Sequence, residues 1–139
     1  MSLFTAEEIA YLRSQRLGRL ATANTHGGLH VTPVGFAYNA ELDTIDIGGS
    51  REGFGASRKY RDAQATGRAA FVVDDVLPAP GGGIRGIEIR GRAEAHATGG
   101  ERVRPGGEPA FIRIVPTRII SWGINQPGYY PDARTVGSE

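Results

Sequence analysis

A glycine-rich stretch from Gly48 to Lys59 carries the residues best suited to chemistry in this sequence. It joins a predicted strand to a predicted helix, and free N–H groups at a helix start favour an anion. Ser50 and Ser57 offer hydroxyl donors. Arg58 adds a planar guanidinium, and Lys59, the chain's one lysine, adds a mobile charge. The stretch suits a phosphate, although a solvated basic helix capped by Ser57 explains the same residues.

Two other motifs resemble known binding sites, but the residues around them do not support those functions. Gly81, Gly83 and Gly86 spell G-x-G-x-x-G, but they follow a proline loop and open a strand, whereas a dinucleotide fingerprint opens a helix. His26 and His30 are separated by a turn with no third ligand at metal-site spacing, so we expect surface histidines and no metal. No catalytic acid–base pair is recognisable.

Helix signals are clear at two places. Thr5 and Glu8 have the spacing of a capping box, and the following apolar residues recur at helical spacing, so a helix is predicted from Thr5 to just before Gly18. A second short helix is predicted from Ser57 to Gln64, with Ser57 as its N-cap.

Period-two patterns and turns predict six strands without βαβ alternation. In order they are 20–23, 29–38, 44–49, 68–75, 86–96 and 111–124, the last broken by Pro116. Gly and Pro dominate the connector 97–109, where no helix is predicted. The fold class is therefore mainly β: a six-stranded antiparallel barrel or sandwich with two short helices.

Composition limits the function classes. The chain has 139 residues, no Cys and a net charge of +1, so neither a nucleic-acid coat nor a disulfide scaffold is expected. No run suits a membrane span, and Glu7 and Glu8 oppose a signal peptide, so a cytoplasmic protein is expected. We expect one domain over 1–126 and a polar tail over 127–139.

The whole pattern resembles the pyridoxamine 5'-phosphate oxidase-like split β-barrels, a superfamily of flavin and deazaflavin oxidoreductases. The segments that carry the resemblance are LGRLATA, HVTPVGFAYN, TIDIGG, SRKYRD, RAAFVVDDV, GIEIRGRAEA and FIRIVPTRIISWGI. They occur in the same order and cover about 5–125. Within the superfamily the chain looks most like members that use the deazaflavin coenzyme F-420 rather than FMN.

The resemblance implies a homodimer with two cofactor sites at its interface, and hydride transfer from reduced F-420 to an electron-poor double bond of a small molecule. The ring would lie against Thr32, Pro33 and Val34. The phosphate would lie among Gly48, Ser50, Ser57, Arg58 and Lys59. Arg51 and Arg61 are candidates for the anionic tail of F-420. The alternatives are an FMN-binding protein of the same family and a non-catalytic flavin or haem binder.

Overall fold

A computed structural model of the chain describes residues 1–49, 52–78 and 80–138. Within these ranges the helices are α1 (Ala6–Ser14), α2 (Arg58–Thr66) and α3 (Gly100–Val103), with a short 3-10 helix at Phe54–Ala56. The strands are β1 (Leu17–Ala23), β2 (Leu29–Gly35), β3 (Ala37–Asn39), β4 (Thr44–Gly48), β5 (Arg68–Val76), β6 (Ile84–His96), β7 (Phe111–Trp122) and β8 (Asp132–Thr135). No helix in these ranges is long and apolar enough to cross a membrane.

The strands form one antiparallel sheet in the order β2-β1-β5-β6-β7-β4-β3, with β8 paired to β7. The two ends of this order, β2 and β3, are joined through Phe36 alone. The sheet must therefore curl until its two edges meet, which makes a barrel with a split. Phe36 holds this joint by packing edge-to-face on Phe71, with ring centroids 5.1 Å apart.

The inner face of the curled sheet is the hydrophobic core. Alternation along β6 places Ile87 and Ile89 on its inner face, and both are fully buried. Other fully buried side chains come from β1, β4, β5 and β7: Leu20, Ile45, Ile47, Phe71, Val73, Ile112, Ile114 and Ile119. Packing of this core holds in place the strands on either side of the split.

The prediction of six strands is wrong, because the described residues form eight. Its second strand, 29–38, divides at Phe36 into β2 and β3, which belong to opposite edges of the sheet. The expected polar tail, 127–139, contains β8, which pairs with β7 from Arg118 to Ser121. The connector 97–109, where no helix was predicted, contains the short helix α3.

Strand β7 continues through Pro116, where its pairing with β6 changes register. The β6–β7 register shifts between Arg90 and Gly91, opposite Pro116, so β7 carries one extra residue there. The first part of β7 pairs with β4 and the last part pairs with β8. A proline lacks the N–H of a regular ladder residue, and a bulge tolerates that loss.

Helix α1 is attached to the sheet through a buried carboxylate. The capping box of Thr5 and Glu8 is confirmed, and Glu8 is fully buried. Ser121 on β7 donates to Glu8 Oε2 at 2.7 Å, and Arg134 on β8 donates at 3.1 Å. Burial would raise the pKa of Glu8, but the hydrogen bonds from Arg134, Ser121 and the Thr5 N–H hold it below its usual value.

Candidate functional site

The split in the barrel contains a cavity of about 380 Å³. Strand β3 pairs only with Thr44–Asp46 of β4, so the end of β4 runs past β3 and comes into contact with β2. The cavity lies at this junction and extends to the start of α2. It is lined by Pro33, Val34, Gly35, Gly48, Gly49, Glu52, Gly53, Phe54, Ser57, Lys59 and Arg104. Five of the predicted site residues therefore meet here: Pro33, Val34, Gly48, Ser57 and Lys59.

Strand β2 forms one wall of the cavity and is an edge strand. It pairs with β1 on one side only, so its outward N–H and C=O groups are available to a ligand. Pro33 is exposed and Val34 is buried. Thr32, also predicted to contact the ring, pairs with Leu20 and does not line the cavity.

The opposite wall is made of backbone at Gly48 and Gly49. A Cβ on Gly49 would lie 2.6 Å from Cδ2 of Phe54, which is closer than real Cβ contacts come. Only glycine lets Phe54 pack against the chain here. The Gly49 carbonyl also accepts a hydrogen bond from the Glu108 N–H at 3.0 Å, which fixes the 104–109 loop beside the cavity.

Helix α2 begins at the cavity and is capped by Ser57, as the sequence predicts. Ser57 Oγ accepts from the Tyr60 N–H at 3.4 Å and donates to the Phe54 carbonyl at 2.6 Å. The Ser57 hydroxyl hydrogen is therefore already used, contrary to its predicted role as a donor to phosphate. The N–H groups of Arg58 and Lys59, the first two helical residues, have no acceptor within the helix and remain available to an anion.

The first two residues of α2, Arg58 and Lys59, are both cations but occupy different places. Lys59 lines the cavity, with Nζ 5.3 Å from the centre of the Phe54 ring. Arg58 does not line it, and its Nε lies 3.9 Å from Asp62 Oδ2. Asp62 is buried and accepts a hydrogen bond from Thr22 on β1 at 2.8 Å, which attaches α2 to the barrel.

Arg104 is a cavity residue that the sequence pattern did not single out for this role. It follows α3, and its Nη1 would lie 3.3 Å from a Cβ on Gly35. In the sequence, Arg104 is one of several arginines that alternate with glutamates, a pattern typical of surface ion pairs. No local signal shows that the loop carrying Arg104 returns to β2. The remaining predicted site residue, Ser50, and the tail candidate Arg51 lie outside the described residues. Arg61 is exposed and does not line the cavity.

A larger cavity, about 760 Å³, lies elsewhere, between α3 and the strands β3, β4 and β7. Its wall includes the ion pair of Arg113 Nε with Asp46 Oδ1 at 3.0 Å. It contains none of the predicted site residues. The smaller cavity is the better candidate site because it brings together backbone groups of an edge strand, a helix start and a lysine that has no carboxylate partner among the described residues.

The split cavity has the size and groups that a flavin-type ligand requires. Its volume lies within the range of about 300–1,000 Å³ usual for small-molecule sites. Gly48 and Gly49 present backbone to the cavity opposite β2, and Lys59 with the α2 N–H groups suits a phosphate. The described lining contains no His, Met or Cys, which are common axial ligands of haem.

Comparison with known proteins identifies a relative in sequence. No family model matches the chain. The chain is 46% identical over 121 residues to the 5a,11a-dehydrotetracycline/5a,11a-dehydrooxytetracycline reductase of Streptomyces rimosus, covering 87% of this chain and 84% of that protein.

Solved structures of low sequence identity share the fold. An FAD-binding protein from Mycobacterium smegmatis is 20% identical with a TM-score of 0.60, covering 87% of this chain and 96% of that one. A candidate pyridoxamine 5'-phosphate oxidase from Corynebacterium glutamicum is 18% identical with a TM-score of 0.59, covering 86% and 88%. The fold is thus the split barrel of pyridoxamine 5'-phosphate oxidase-like proteins.

Proposed function

The chain belongs to the family of the Streptomyces rimosus dehydrotetracycline reductase, and from this premise we propose that it is an oxidoreductase acting on a small organic molecule. The observation that carries the proposal is the cavity in the barrel split, whose volume and cationic lining suit a small anionic ligand, in a chain 46% identical to a reductase. The coenzyme we propose is the deazaflavin F-420. When bound, it would supply hydride to an electron-poor double bond of the substrate.

The chain's own residues would bind and orient the coenzyme. The backbone of Pro33 and Val34 on the β2 edge would contact the ring, and the backbone of Gly48 and Gly49 would form the wall opposite it. The α2 N–H groups and Lys59 would hold the phosphate. Ser57 would act by fixing the helix start rather than by donating to the phosphate. We name no proton-donating side chain, because the described lining offers no histidine or tyrosine.

FMN is the second candidate coenzyme. The neighbour from Mycobacterium smegmatis binds FAD, so this fold accommodates flavins at low identity. The groups at the start of α2 suit one phosphate, which is all that FMN carries. In that case the protein would be an FMN-dependent member of the fold, or a flavin carrier without turnover.

The active form we propose is a homodimer. The outer face of β2, β1 and β5 exposes an apolar strip that includes Leu29, 82% exposed, and Val31, 67% exposed. Ala21, Ala70 and Val72 border a shallow depression together with Val31. Contiguous exposed apolar surface of this kind is typical of protein interfaces. A second copy on this face would lie beside Pro33, and therefore beside the cavity.

Coenzyme binding tests the proposal directly. Purified protein is titrated with F-420 and with FMN, and binding is followed by calorimetry. We expect Lys59→Ala to weaken binding of the preferred coenzyme by about 1–3 kcal/mol, because a charge-assisted contact is lost. Arg61→Ala, on the same helix but outside the cavity lining, is the matched control and should bind like the wild type.

Unchanged affinity of Lys59→Ala would reject the phosphate assignment, and tight FMN binding without F-420 binding would reverse the choice of coenzyme. Turnover with reduced F-420 and an electron-poor alkene then separates an enzyme from a carrier. Binding without turnover of any such acceptor would contradict the reductase proposal.

A further inference from the structure

A second cavity, of about 340 Å³, continues the first one along the split. The two share Gly35, Gly48 and Arg104 in their linings. The second is completed by Gln15, Arg16, Phe36 and Val103. The split therefore offers a groove that continues beyond Gly35 and Gly48 rather than a closed pocket.

The charged side chains along this groove are mostly positive. The lining of the second cavity contains two cations, Arg16 and Arg104, and no carboxylate. The first adds Lys59, with Glu52 as its one carboxylate. In the described part of the chain, no carboxylate lies within ion-pair distance of Arg16, Lys59 or Arg104. Six other arginines do have a carboxylate partner: Arg19, Arg58, Arg85, Arg90, Arg113 and Arg134. Several others have none among the described residues, so Arg16 and Arg104 are distinguished by their shared position in the groove lining.

The backbone holds Arg104 at the junction of the two cavities. Its N–H donates to the Gly100 carbonyl at 3.1 Å, and its carbonyl accepts from the Gly107 N–H at 2.8 Å. Gly100 is packed so closely that a Cβ there would lie 1.9 Å from the Glu108 carbonyl oxygen. Together with the Glu108–Gly49 hydrogen bond, these contacts fix the position of the Arg104 backbone relative to the site.

We propose that Arg104 and Arg16 form a second anion subsite, which binds a coenzyme carrying another anionic group beyond its first phosphate. The inference rests on the proposed function and deepens it. Two anionic groups could bind at this subsite: the second phosphate of FAD and the carboxylates on the tail of F-420. FMN ends at its phosphate and would leave this subsite empty. The sequence-based tail candidate Arg61 is not used, since it does not line the groove.

The test compares ligands that differ in their second anionic group. Wild type, Arg104→Ala, Arg16→Ala and the control Arg61→Ala are titrated with FMN, FAD and F-420 at low and high salt. We expect Arg104→Ala to raise the Kd of FAD or F-420 about tenfold and to leave that of FMN within about twofold. Arg16→Ala, in a different loop, should act in the same direction, and salt should reduce both effects. The ligand that shows the effect identifies the source of the second charge.

Each other outcome overturns the inference. Equal losses for FMN and the longer ligands would place Arg104 at the first phosphate instead. No loss for any ligand in either arginine variant, with Lys59→Ala still impaired, would reject the second subsite and leave the proposed function standing. Wild-type protein that binds none of the three ligands would reject both. Thermal unfolding of each variant checks that an observed loss is not a loss of folding.

Discussion

Ser57 illustrates how a residue can be correctly placed by the sequence and yet act differently in the fold. Its spacing before α2 predicts the N-cap, which the structure confirms. The same hydroxyl donates to the Phe54 carbonyl, so an anion at this helix start would depend on backbone N–H groups and Lys59. The direction of a hydroxyl hydrogen depends on the 3-10 turn before the helix, which leaves no periodic signal in the sequence.

The buried carboxylate of Glu8 is expected to make the stability of the fold depend on pH. Its pKa is lowered in the folded chain, so its stabilising effect is present above its ordinary value of 4.5 and is lost as the pH falls below it. We expect Glu8→Gln to lower the free energy of unfolding by about 2 kcal/mol at neutral pH, because Arg134 loses its nearest carboxylate partner and keeps, among the described residues, only Asp132, at 3.7 Å. The difference from wild type should shrink as the pH falls below 4.5.

Urea unfolding at a series of pH values measures this difference. Glu7→Gln, the exposed neighbour on the same helical turn, is the control and should follow the wild type closely. A wild-type to Glu8→Gln difference that stays constant from neutral to acidic pH would contradict the role assigned to the Glu8 charge.

Among the elements, the loop that joins β4 to α2 determines the shape of the candidate site. Gly49 contacts Phe54, and Phe54 packs in turn against Tyr60 on α2, with ring centroids 6.0 Å apart. Asp62 then anchors α2 to β1 through Thr22. A change at Gly49 is therefore transmitted to the helix start that would hold the phosphate.

Gly49→Ala is expected to lower the free energy of unfolding by about 1–3 kcal/mol, because the added Cβ overlaps the Phe54 ring. It should also weaken coenzyme binding by displacing the cavity wall. Gly83→Ala is the control, since a Cβ at Gly83 meets nothing within 4 Å. Thermal unfolding and coenzyme titration of both variants give the result. Equal behaviour of the two would show that the cavity tolerates movement of Phe54.

Local signals account for the elements that the sequence predicts well. The capping box before α1, the turn between β1 and β2 and the alternation of β6 all depend on residues close together in the chain. The division at Phe36, the pairing of β8 and the place of Arg104 depend on segments far apart in sequence. No single-residue pattern encodes those contacts, which is why the strand count and most of the groove lining were not predicted.

At the scale of the whole molecule, the apolar outer face beside the cavity is the main exposed surface that the monomer leaves unexplained. Leu29 and Val31 lie on the β2 edge strand, and Val76 is 71% exposed at the end of β5. An edge strand with this composition tends to associate unless it is covered. Covering it with a second copy would explain both its composition and its position next to the site.

Val31→Asp is expected to convert a homodimer to monomers, because it places a charge in the centre of the proposed interface. Val31 is largely exposed in the single chain, so the fold itself should tolerate the change. Leu42→Asp is the control, because Leu42 is 52% exposed but lies in the β3–β4 turn. Light scattering after size-exclusion chromatography measures the mass. A wild-type protein that is monomeric at micromolar concentration would contradict the proposal.

The opening between the two sheet edges has a thermodynamic consequence. A molecule bound there only by the folded chain shifts the folding equilibrium by mass action, by about 2.7 kcal/mol when its free concentration is a hundred times its Kd. Newly made chains would thus persist longest in cells that are well supplied with the coenzyme. In starved cells a larger fraction of molecules would be open to proteolysis, so abundance of the protein would follow availability of its ligand.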